Sequence, residues 1–167
     1  GKVVPFDNLS QLEEAVRNGQ LGMVALSTRE FLSTRDRLNL VPWTVTVMND
    51  AEAGAYALVV RRDSGIDSVE KMQGRRLTIA PADRGMIPET WLDLELMRRG
   101  LAGTREYFGE VTTVSRPERA VLGLFFGRDD VALVRGDVLR RMVEQNPQIG
   151  EAVRVIDRSP SCVHRVF

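Results

Sequence analysis

The sequence predicts an α/β fold with a mostly parallel sheet, and three observations carry that reading. Short apolar runs of strand composition alternate with stretches whose apolar residues recur at helical spacing, the order of β-α-β units. The run 21–26 is nearly continuous in apolar residues, as expected of a strand covered on both faces. A strand at 76–80 feeds a polar loop that opens a strong amphipathic helix, the usual place for such a sheet to hold a small ligand.

Residues 3–6 read as a short strand. Leu9, Leu12, Ala15 and Val16 then recur at helical spacing, with Ser10 and Glu13 placed for a capping box and Asn18-Gly19 as the stop. The strand 21–26, a helix at 29–37 and a strand at 43–48 follow. Small residues at 49–54 form a link into a strand at 55–62. A short helix at 67–72, stopped by Gly74, precedes the strand 76–80. The clearest helix spans 88–99: Pro88 sits in its first turn, Trp91, Leu94 and Met97 mark its buried stripe, and Gly100 ends it. Next come a strand at 111–114 and a helix through Phe125, with Ser115 and Glu118 as a capping box around Pro117. A strand at 131–134 leads to a helix at 138–145 capped by Asp137 and followed by Pro147. A strand at 152–156 closes the pattern. There is no internal repeat and no low-complexity segment.

Composition excludes several function classes. A chain of 167 residues can bury a good core as one domain or two small lobes. Its formal net charge of zero argues against nucleic acid as a partner, which would want a basic excess. All but two of its 23 basic residues are arginine, the side chain that grips oxyanions through two parallel hydrogen bonds; a coding bias yields the same count. Cys162 is the only cysteine and His164 the only histidine, so no internal disulfide, cysteine cluster, histidine triad or zinc site is expected. The acidic pair Asp129-Asp130 has no further ligands at useful spacing. No phosphate loop or catalytic cluster appears, so neither an enzyme nor a cofactor is expected. The longest apolar runs are far too short to span a bilayer. The chain opens on Gly1 rather than Met, as a processed form or a domain of a longer protein would.

Two segments carry a family likeness. AYALVVRRDSGIDSVEKMQGRRLTIA at 55–80 and FFGRDDVALVRGDVLRRM at 125–142 resemble the phosphonate/phosphite-type solute-binding proteins of bacterial ABC importers. Residues 3–27 are similar to that family's opening helix and strand, and Asp129-Asp130 to its Gly-x-Val-Asp turn. The resemblance implies a type II periplasmic-binding-protein fold. It would comprise a partial first lobe (1–49), a hinge link (50–54), a complete second lobe (55–158) and a return segment (159–167). It also implies a periplasmic or extracytoplasmic protein that captures a small polar or anionic solute between its lobes, its closure read by an ABC permease. The alternative is a ligand-sensing domain of a receptor or sensor kinase, whose partner is the receptor's signalling module.

The resemblance also points to site residues. Phosphonate binders characteristically carry a Ser/Thr/Ser/Gly run after the second-lobe strand, and here Asp83, Arg84, Gly85 and Met86 stand instead. The hydroxyls are gone, so the ligand is expected to have changed from phosphonate itself, or the site to be lost. Arg84 suits a ligand carboxylate, Asp83 a ligand ammonium and Met86 an apolar contact; otherwise the two charges satisfy the loop. Tyr56 corresponds to an aromatic lining the cleft, or else packs on its strand with the hydroxyl at the rim. Arg135 stands at the carboxyl end of its strand, as a ligand contact or as an exposed residue before a helix. Ser27 and Thr28 hold the matching strand end in the first lobe, as ligand donors or as a helix cap.

Overall fold

The structure is a computed structural model that describes residues 2–45, 54–80, 87–163 and 165–167. In chain order its elements are α1 (Leu9–Arg17), β1 (Leu26–Ser27), α2 (Thr28–Leu38), β2 (Tyr56–Arg61), β3 (Arg76–Ile79), α3 (Ile87–Arg98) and α4 (Thr104–Tyr107). Then follow β4 (Glu110–Thr113), α5 (Pro117–Phe125), β5 (Val131–Arg135), α6 (Gly136–Gln145), α7 (Pro147–Ala152), β6 (Val153–Arg158) and β7 (Arg165–Val166). The chain divides into two compact units, Gly1–Thr46 with Val163–Phe167, and Val47–Cys162.

In the first unit β1 pairs antiparallel with β7, Leu26 opposite Val166, and Val45 adds a single bridge to Val166. Leu26, Phe31 and Val166 form the core cluster, flanked by Leu9, Leu12, Val24 and Leu40. Two expected strands are corrected here. Residues 3–6 form none, and of 21–26 only Leu26 is strand. The cause is partnership: β7 offers a two-residue ladder, and Gly22, Met23 and Ala25 stay exposed. Of the expected strand 43–48, only Val45 makes a bridge, and 46–48 lie outside the described residues. The α1 cap is Asn8, whose side chain accepts from the Gln11 N–H, rather than Ser10. Glu13 instead pairs with Arg17 at 3.1 Å and Arg37 at 2.8 Å, which ties α1 to α2.

The second unit is a five-stranded sheet in the order β4-β3-β5-β2-β6. β3 is parallel to both β4 and β5, while β2 runs antiparallel to both β5 and β6. Four strands therefore point one way, and β2 is inserted against them. The connection from β2 to β3 holds only short 3-10 turns, Arg62–Ser64 and Val69–Met72, and no helix returns the chain across the sheet. Alternation along the strands builds two apolar layers. Tyr56, Leu58, Leu77, Ile79 and Leu133 pack with Leu92 and Leu96 of α3 on one side. Ala57, Val59, Ala132 and Val134 pack with Val121, Leu124, Leu139 and Met142 on the other.

Three helix expectations are corrected. The buried face of α3 carries Pro88, Glu89, Leu92 and Leu96, whereas Leu94 and Met97 are 51% and 66% exposed. Leucines at 92, 94 and 96 place apolar residues on both sides, so periodicity alone cannot choose the face. α5 starts on Pro117 with no side-chain cap in place of the Ser115/Glu118 box. Pro147 does not merely follow α6: it opens α7, where Asn146 accepts from the Gln148 N–H. The expected stops at Gly74 and Gly100 hold φ of 71° and 72°, the left-handed conformation open to glycine.

Candidate functional site

Strand order and direction in the second unit create one distinctive edge. From β3 the chain leads outward through α3 and α4 to β4, while from β5 it leads the other way through α6 and α7 to β6. Adjacent parallel strands whose connections diverge open a crevice at their carboxyl ends, the topological switch point where α/β sheets hold ligands. Here that point lies between Ala80 and Arg135. β2 begins at the same edge, with Tyr56 opposite Arg135.

Backbone bonds stitch this edge together. The Ala80 N–H donates to the Leu133 carbonyl at 2.9 Å, and the Gly136 N–H to the Ala55 carbonyl at 2.9 Å. Ser159 closes the far side: its N–H donates to the Tyr56 carbonyl at 2.8 Å, and its Oγ accepts from the Tyr56 N–H at 2.8 Å.

A charged cluster stands on the edge. Arg135 Nε donates to Asp137 Oδ1 at 2.8 Å and Arg135 Nη2 to Oδ2, a bidentate fork. Arg141, one turn along α6, donates through Nη1 to the same Oδ2 at 2.8 Å. Asp137 is buried. Burial pushes its carboxyl up, but the hydrogen bonds and charges of Arg135 and Arg141 outweigh it and hold the group below the usual carboxylate range.

The predicted site residues fall in three places. Asp83, Arg84, Gly85 and Met86, in the connection from β3 to α3, lie outside the described residues. Tyr56 and Arg135 are brought together as register partners. Tyr56 is fully buried, hydroxyl included, so that hydroxyl is not at an open rim. Ser27 and Thr28 belong to the first unit, and there they serve α2. Ser27 Oγ accepts from the Glu30 N–H at 3.3 Å while Glu30 Oε2 accepts from the Ser27 N–H at 2.9 Å, a complete capping box. Thr28 Oγ1 donates to the Val163 carbonyl.

Sequence reasoning missed the role of Asp137, expected as the α6 cap. In the structure α6 begins at Gly136 with no side-chain cap, because both carboxylate oxygens are taken by arginines. The signal was the Arg-x-Asp spacing at a strand end. Ser159 gave no such signal, because its partner lies 103 residues away.

Comparison with known proteins adds the following. A family model described as ABC transporter, phosphonate, periplasmic substrate-binding protein matches residues 1–167. No curated protein matches the chain in sequence. Among solved structures, PhnD1 from Prochlorococcus marinus in complex with methylphosphonate is 17% identical with a TM-score of 0.61, over 99% of this chain and 63% of that one. XAC2383 from Xanthomonas citri bound to ATP is 19% identical with a TM-score of 0.65, over 94% of this chain and 61% of that one. The aliphatic sulphonate binding protein SsuA from Escherichia coli is 17% identical with a TM-score of 0.62, over 93% of this chain and 47% of that one. This chain thus spans less than two thirds of each of those chains, and at such identities the likeness shows the shared type II periplasmic-binding-protein fold. With the family match over its whole length, the chain belongs to the periplasmic substrate-binding proteins of phosphonate ABC transporters, a family of binding proteins rather than enzymes.

Proposed function

We propose that this chain is the ligand-binding part of an ABC import system and captures a small anionic or zwitterionic solute at the carboxyl edge of its five-stranded sheet. The observation that carries the reading is the switch point between β3 and β5, with Arg135 held at one strand end and the segment containing Asp83 and Arg84 leaving the other. A strand-end arginine suits an oxyanion. Methylphosphonate, ATP and aliphatic sulphonates, named with the structures similar to this chain, all carry one.

In this reading Arg84 adds a second guanidinium, Asp83 receives a ligand ammonium, Gly85 leaves room and Met86 supplies an apolar contact. Tyr56 acts from within the core by fixing the strand opposite Arg135. Ser27 and Thr28 act only through the start of α2. The two units correspond to a partial first lobe and a second lobe, with 50–54 as hinge link and 159–167 as return segment. The partner is a membrane permease that reads closure of the loaded protein.

Thermal unfolding of the chain with phosphonates, phosphate, sulfonates, nucleotides, carboxylates and amino acids tests this. A ligand at a hundred times its dissociation constant adds about 2.7 kcal/mol of stability. An upward shift confined to one oxyanion class supports the proposal and names the class. A shift with none, from a folded sample, sinks it.

A further inference from the structure

We infer that Asp137 is a positioning residue of this site, fixing the Arg135 guanidinium in the orientation in which it meets a ligand oxyanion at the end of β5. The inference rests on the proposed reading of that strand end as the ligand site, and it goes further by assigning a role to an acidic residue in an anion site.

An aspartate in the first turn of a helix ordinarily serves the free amides there. Asp137 does not: α6 starts without a side-chain cap, and both carboxylate oxygens face guanidiniums. The same Arg-x-Asp fork occurs at the other end of the β2/β5 pair, between Arg61 and Asp63. There the Asp63 side chain is 66% exposed, against 6% for Asp137. An exposed pair is held loosely by a screened interaction, whereas a buried carboxylate leaves the guanidinium plane little freedom. Arg141 has a second consequence. Two guanidiniums share one carboxylate, so Asp137 offsets one of their two positive charges and not both.

The sign of one substitution separates positioning from charge. Asp137→Asn removes a negative charge beside a bound anion, so Coulomb's law alone makes anions bind more tightly. Loss of the fork leaves Arg135 mis-aimed and makes them bind more weakly. A role confined to stability would change the folded fraction and leave the affinity of the folded protein as it was.

Calorimetric titration of the 167-residue chain with methylphosphonate, inorganic phosphate and methanesulfonate at low ionic strength decides among these. For whichever probe the unsubstituted chain binds, D137N is expected to bind roughly tenfold more weakly or worse, about the loss of one oriented charged hydrogen bond. D137E, which keeps two oxygens and the charge, is expected to recover most of that loss. Unchanged or tighter binding in D137N overturns the inference while leaving the proposed function standing. Should D137N fail to fold by near-ultraviolet circular dichroism, R135K takes its place, since lysine keeps the charge but cannot make the fork. Full affinity in R135K then overturns the inference. Where the unsubstituted chain binds none of these three, the titration uses the compound of the thermal-unfolding panel that shifts it, and binding of no compound overturns the proposed site and the role of Asp137 with it.

Discussion

The second unit encloses its five-stranded sheet between two apolar layers, while the first gathers Leu26, Phe31 and Val166 around a two-stranded ladder. Their helix ends differ in the opposite sense. In the first unit α1 is capped by Asn8 and α2 by the full Ser27/Glu30 box, whereas in the second α5 and α6 have no side-chain cap and Asn146 caps the short α7. At α6 burial explains the contrast. α6 buries every residue from Gly136 to Leu139, so tertiary packing holds its first turn. α2 buries only Phe31 and Thr34, and local hydrogen bonds hold a larger share of it. The first unit also keeps an open groove of about 350 Å³ beside Phe31 and Leu40, with Val41 and Trp43 on its wall 83% and 79% exposed.

The largest test of that contrast is Leu133→Ala in the central strand. Leu133 is fully buried between β2 and β3, and its truncation is expected to cost about 2–5 kcal/mol in denaturant unfolding. Phe31→Ala should cost less, about 2 kcal/mol, because Phe31 borders an open groove rather than a closed core. Hydrogen exchange would locate the loss: amides of α1 and α2 should exchange faster and those of β5 should not. Equal acceleration in β5 would show the two units unfolding as one cooperative block.

Caps give a smaller, sharper test. Ser27→Ala removes the hydroxyl half of a formed box, together with the Ser27 Oγ to Glu30 bond, and is expected to cost about 1 kcal/mol. Ser115→Ala, at the box expected from sequence but absent from the structure, should leave the unfolding midpoint where it was. If both substitutions cost the same, the Ser115 side chain would be holding the start of α5 after all.

The same difference sets how much was legible in the sequence. Strands such as β2 and β5 declare themselves because both faces are buried, and apolar runs of that length have few alternatives. The helices were found for the same reason, but the face of α3 was misjudged because Leu92, Leu94 and Leu96 fit either side. In the first unit the run 21–26 has strand composition without strand partners, and composition carries no information about partners. At the site, Arg135 was visible as a strand end. Its dependence on Asp137 was not, because an aspartate at a helix start reads first as a cap. Ser159 and Tyr56 meet only through the sheet, so nothing local announces them.

The subtlest effect follows from the two Arg-x-Asp forks and concerns pH rather than magnitude. The carboxyl of Asp137 is pushed up by burial but held lower still by Arg135 and Arg141, and that of Asp63 is lowered first by its hydrogen bond with Arg61. A carboxylate whose folded pKa lies below its unfolded value, about 3.9, stabilises the fold fully above that value and loses the contribution as pH falls through the folded pKa. The stability difference between the unsubstituted chain and D137N should therefore be constant from pH 7 to about 5 and shrink below about 4. Urea unfolding of both proteins at pH 7 and pH 3 measures it. D63N should show no resolvable difference at either pH, since Asp63 is solvated in the folded chain much as in the unfolded one. A D137N difference that persisted undiminished at pH 3 would mean that the packing of its side chain matters there, not its charge, and the two forks would then differ in burial alone.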